Sequence, residues 1–123
     1  MKTGEQVKNR ALELLNYTDQ NGRLNGEIYA DVTARAIPLL NQIYADLWYA
    51  LYDSGFEELA AVTDCVRLPT RILQDVMPYG VAMLMAQSIG DADNQSMMAT
   101  LYNRKRALLT HVRERKDVMP CAL

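Results

Sequence analysis

Apolar residues along this chain recur mostly at helical spacing, and the breaks in that spacing divide it into segments. Thr3 and Gln6 fit a capping box, in which hydroxyl and amide satisfy orphan backbone donors, so a first helix starts near Gly4. Val7, Ala11, Leu14 and Leu15 give it one apolar stripe, and it ends near Asn16 or Tyr17. Turn formers from Thr18 to Gly22, closed by Asn25-Gly26, mark an exposed loop. A long second helix then runs from Glu27 to Ser54, with Ile28, Val32, Ala36, Leu39, Leu40, Ile43, Leu47, Ala50 and Leu51 on one side and Gly55 as its stop. Pro38 lacks a backbone donor and clashes with the preceding turn, which predicts a kink, or two helices meeting, near Ile37-Pro38. Tyr44, Trp48 and Tyr52 are four apart and share a face, while Tyr49 points elsewhere.

Helical periodicity fails from Phe56 to Leu68. Residues 59–68 fit either a short β-hairpin turning at Thr63-Asp64 or a loop. Pro69 and Thr70 open the next helical stretch, carried by Ile72, Leu73, Val76 and Met77, with Pro78 either bending it or dividing it. Tyr79-Gly80 allows a neighbouring backbone to approach, and Val81, Met83, Leu84, Met85, Ala86 and Ile89 are apolar nearly all round, the mark of a buried central helix. Gly90 ends it. Asp91 or Asp93 caps a last helix predicted to reach Lys116, its core face Met97, Leu101, Leu108 and Val112, flanked by Met98, Tyr102 and Leu109. The tail from Asp117 carries Pro120 and no helical pattern. The whole reads as one all-α domain spanning residues 1–123: a small bundle of four to five helices, the second long and kinked.

Length and composition agree with that. At 123 residues the chain matches the size of one domain, and half its residues are apolar, too many for a disordered segment. The net charge of −2 argues against a surface devoted to nucleic acid, since phosphate neutralisation needs a concentrated positive face. Positive charge is nonetheless local: Arg104, Lys105, Arg106, Arg113, Arg115 and Lys116 crowd the second half of the last helix. Such cations either complement the helix dipole or form a basic surface for an acidic protein or a phosphate backbone. Cys65 and Cys121 lack a redox or metal spacing and read as idle thiols. No apolar leader follows Met1 and no apolar run is long enough to span a bilayer, which predicts a soluble protein made in the cytoplasm with no membrane contact.

Chemistry is sparse. A metal site needs several converging ligands, whereas His111 stands among Arg113, Arg115 and Lys116. Asp91-Ala92-Asp93-Asn94 opens like a calcium loop, but Ser96 and Tyr102 occupy the positions that need glycine and a bidentate acid. There is no phosphate-binding glycine loop, no nucleophile elbow and no Cys-His pair, and Glu57-Glu58 lies on a polar turn with no burial to tune it. No cofactor and no catalytic residue is expected.

Asp64, Leu68-Pro69, the apolar helix with Tyr79-Gly80-Val81-Ala82, the Gly90-Asp91 break and the last helix with Tyr102-Asn103-Arg104 together resemble the small head-tail connector proteins of tailed bacteriophages. The resemblance covers the C-terminal half well and the N-terminal half in its layout; Pro38 and Pro78 inside predicted helices depart from it. It implies a helical bundle with a structural role in the virion of a phage or prophage. Copies form a ring between portal and tail, assembled in the host cytoplasm, with contact to packaged DNA only incidental. It also implies oligomerisation on neighbouring proteins, which leaves the isolated subunit free to be a monomer.

A ring needs two different adhesive faces on each subunit. The candidates are the Tyr44-Trp48-Tyr52 side, whose plainer reading is the domain's own core, and the basic half of the last helix, represented by Arg104, Arg113 and Arg115. The rival reading is a small helical adaptor or regulatory module that binds one protein partner through an apolar groove. A DNA-binding regulator resting on Arg104-Lys105-Arg106 is weaker, because helix-turn-helix spacing is missing.

Overall fold

In the computed structural model, which describes residues 3–17 and 27–109, six helical segments follow one another: α1 (Gly4–Leu14), α2 (Glu27–Ala34), α3 (Ala36–Leu51), α4 (Thr70–Asp75), α5 (Met77–Ser88) and α6 (Ala92–Arg106). With α2 and α3 counted as one kinked helix, the bundle has five helices, and no strand forms among the described residues. The fold is the all-α bundle expected from the periodicity.

Both prolines act upstream of where they stand. The second helix breaks at Arg35 rather than at Ile37-Pro38, so that Pro38 falls in the first turn of α3. The third breaks at Val76, placing Pro78 in the first turn of α5. A first-turn residue has no intrahelical acceptor for its N–H, so proline loses nothing there, and the break relieves its clash with the carbonyl four residues earlier.

α5 is the hub. It packs on α6, α1, α3 and α4 and buries Met77, Pro78, Gly80, Val81, Ala82, Leu84, Met85 and Ala86. Such all-round burial explains why its apolar residues show no single stripe. A side chain on Gly80 would have its Cβ 2.8 Å from Tyr102 Cε1 and 2.9 Å from Ile43 Cγ2, so the missing side chain is what lets α6 and α3 close on α5.

Helix ends follow the local sequence. The Thr3–Gln6 capping box is present, with both reciprocal hydrogen bonds. α1 and α5 end in the same way: Asn16 (φ 60°) and Gly90 (φ 74°) turn left-handed, and the next residue's N–H reaches back to the helix, Tyr17 to the Leu12 carbonyl and Asp91 to the Ala86 carbonyl. This is the Schellman arrangement, which Gly and Asn permit because they tolerate positive φ.

The expected alternative of a hairpin at 59–68 is not realised. Residues 52–69 form an irregular strap whose backbone groups find partners outside any ladder. Asn41 donates to the Leu59 carbonyl (2.9 Å) and accepts from the Leu59 N–H (2.7 Å), imitating a strand neighbour with one side chain. Asp64 Oδ2 accepts from the Ala60 and Ala61 N–H groups, and the carbonyls of Val62 and Asp64 receive the orphan donors of Glu5 and Gly4 at the start of α1. With those groups already satisfied, a cross-strand partner has nothing left to supply. Cys65, expected as an idle thiol, is disulfide-bonded.

Candidate interaction surface

The aromatic face of α3 belongs to the core. Tyr44, Trp48 and Tyr52 are each 1% exposed, which decides between the two readings open from sequence and removes them from any docking surface. Their polar atoms pin the strap: Trp48 Nε1 donates to the Ser54 carbonyl (2.9 Å), and the Tyr44 hydroxyl accepts from the Arg67 N–H (3.0 Å). Trp48 and Tyr52 pack at a tilt with 4.6 Å between centroids, and Phe56 lies edge-on to Tyr44 at 5.1 Å. A buried Tyr or Trp needs such partners for its one polar atom.

What faces outward on this helix is Tyr49, 54% exposed, with Phe56 beside it at 5.9 Å. Next to Phe56, an open cleft of about 550 Å³ runs along α3, floored by Ile37, Pro38, Ala45 and Leu59, and Glu58 stands on its wall. The neighbouring Glu57 is exposed and lies 3.8 Å from Arg67. A second opening of about 610 Å³, between α1 and α4, has a mixed lining that includes Arg10, Leu73 and Asp75.

On α6 the buried pair is Met98 and Tyr102, not the expected Met97, Leu101 and Leu108. Met97 is 50% and Leu108 80% exposed. The two sets differ by one residue, a rotation of about 100° about the helix axis. Tyr102 decides the rotation: its ring fills the space over Gly80, and its hydroxyl donates to Asp46 Oδ2 on α3 at 2.5 Å. Arg106 grips the same carboxylate through Nε (2.7 Å) and Nη2 (3.0 Å), a bidentate pair that fixes geometry as well as charge. The helix itself stops at Arg106, well short of the expected Lys116.

Several charges are thereby committed to holding the fold. Burial first, then the Asp46 carboxylate beside it, pushes the Tyr102 hydroxyl well above its ordinary ionisation range, and the bond to Asp46 raises Arg106 further. At the other end of α6, Tyr17 donates to Asp91 Oδ2 at 2.7 Å. Burial and that carboxylate raise Tyr17, while the Tyr17 and Asn94 donors lower Asp91. Lys105 sits over the Tyr79 ring, 4.8 Å from its centre.

Of the basic residues proposed from sequence, Arg104 is exposed on α6, and Arg113 and Arg115 lie outside the described residues. Arg106 proves to be an internal clamp. Asp46, Asn41 and Tyr17, which do much of the joining, carried no motif; Tyr49 was legible only as the aromatic residue off the Tyr44-Trp48-Tyr52 face. Among the described residues, no cluster of three or more His, Cys, Asp or Glu could hold a metal ion, and no helix is long and apolar enough to cross a membrane. No family model matches the chain, and neither a curated protein nor a solved structure matches it.

Proposed function

We propose that this chain is a non-enzymatic structural subunit of a tailed phage or prophage, a head-tail connector whose copies assemble between the portal and the tail-side proteins of the virion. One observation carries the reading: the residues that bear the resemblance are the joints of the fold. Asp64 ties the strap to itself and to α1. Leu68 is buried, and Pro69 stands at the start of α4, its carbonyl accepting from the Ile72 and Leu73 N–H groups. Gly80 receives the Tyr102 ring, Tyr102 bonds α3, and Asp91 ends α5 while capping α6. A pattern made of joints is what a family sharing an architecture, rather than a reaction, would retain. The all-α bundle is the fold that such a family implies.

The reading is tested by electron microscopy of the full chain, alone and mixed with the portal protein encoded with it. Rings with a central opening seated on the portal are expected. One copy bound to one partner without a ring would overturn the connector in favour of the adaptor.

A further inference from the structure

Two outward surfaces of this bundle complement each other in shape and charge. The first is the outer side of α6: Met97, Leu101 and Leu108 share one side of the helix and its C-terminal turn, Met97 half and Leu108 four-fifths exposed, with the exposed Arg104 among them and Lys105, which lies over the Tyr79 ring, at the edge. Burying such a stripe is favourable at roughly 25 cal/mol per Å² of apolar area, yet the described fold leaves it open. The second is concave: the cleft along α3 lined by Ile37, Ala45, Phe56 and Leu59, with Glu58 on its wall and the exposed Glu57, 3.8 Å from Arg67, next to it in sequence. An apolar ridge edged by cations and an apolar groove edged by carboxylates, both on one chain, are the two halves of a head-to-tail contact.

We infer that the α6 ridge of one copy docks into the α3 cleft of a second copy, with Arg104 and Lys105 meeting Glu57 and Glu58. The inference rests on the connector reading and adds to it the faces through which copies meet. Because donor and acceptor surfaces differ, the contact repeats and can build assemblies larger than a dimer.

The test is sedimentation of the full chain over a wide concentration range, with two charge-reversed variants. Glu57→Lys with Glu58→Lys makes both surfaces basic; Arg104→Glu with Lys105→Glu makes both acidic. Each variant alone is expected to associate at least about tenfold more weakly than the parent, because like charges then face each other. Mixed in equal amounts they are expected to reassociate, since the basic ridge of one fits the acidic cleft of the other. Leu108→Asp, at a site too exposed to disturb folding, is expected to weaken association without lowering the melting temperature. A parent chain that stays monomeric throughout, variants that associate like the parent, or a mixture that stays apart would each overturn the inference. The connector reading stands or falls separately, on whether rings form on the portal.

Discussion

Tyr17 and Asp91 hold the same position in two helix-ending turns, one residue beyond a left-handed Asn16 or Gly90, and the 2.7 Å hydrogen bond between them ties the end of α1 to the end of α5. Asp91 also caps α6 through the Asn94 N–H, so three helix termini meet at one carboxylate.

That carboxylate makes stability depend on acid. Its folded-state ionisation lies below the ordinary value of 3.8, because the Tyr17 and Asn94 donors favour the charged form. Its contribution is complete above that ordinary value and is lost as pH falls through the lower, folded one. Asp91→Asn keeps a capping side chain but removes the charge. Urea unfolding should show a loss below about 1 kcal/mol at neutral pH, because the site is partly solvated. The gap from the parent should close as pH falls below 3.8 and through the lower folded-state value, where the parent's carboxylate is itself protonated.

At high pH the two bonded tyrosines act in the opposite sense. Tyr17 and Tyr102 ionise above their ordinary value of 10.0 in the folded state, so the stability they lend is complete below that value and declines as pH climbs beyond it. Ultraviolet titration of the seven tyrosines should show Tyr17 and Tyr102 among those that resist ionisation until the chain unfolds. Tyr102→Phe should remove one of them and cost about 1.5–3 kcal/mol at neutral pH, the range for a hydrogen bond to a charged partner.

Gly80 should tolerate no side chain. Gly80→Ala puts a methyl group against the Tyr102 ring and Ile43, both held in place by packing. Overpacking of this kind costs about 1–3 kcal/mol. The better helix propensity of alanine returns up to about 1 kcal/mol. A net drop in melting temperature is expected, and an unchanged or higher one would show that α6 can move away freely.

Asn41 carries the strap. Asn41→Leu leaves the Leu59 N–H and carbonyl without their partners, a loss of about 1–3 kcal/mol for each group that water cannot reach. Hydrogen exchange should report faster exchange at the Leu59 amide in the variant, while α5 remains protected.

Two helix boundaries were legible because caps are local chemistry: Thr3 with Gln6, and Gly90 with Asp91, declare themselves within a few residues, whereas the ends at Leu51 and Arg106 fell short of the expected Ser54 and Lys116. The bundle and its apolar central α5 were legible from periodicity. The face of α6 was not, since Met97-Leu101-Leu108 and Met98-Tyr102-Leu109 have the same spacing, and only the distant Gly80 and Asp46 select between them. The strap at 52–69 was unreadable for a similar reason. Its backbone is satisfied by Asn41 and by the start of α1, far away in sequence. Candidate surfaces suffered most: the aromatic stripe of α3 turned inward, and the residues left outside, Tyr49, Met97 and Leu108, are defined by what the core did not take.

The most direct measurement of the central proposal is deletion of the gene from the genome that encodes it, followed by electron microscopy of the particles in the lysate. Filled heads and complete tails that fail to join, restored to whole virions by the gene supplied in trans, are the predicted result. Intact virions at normal yield would contradict a connector role.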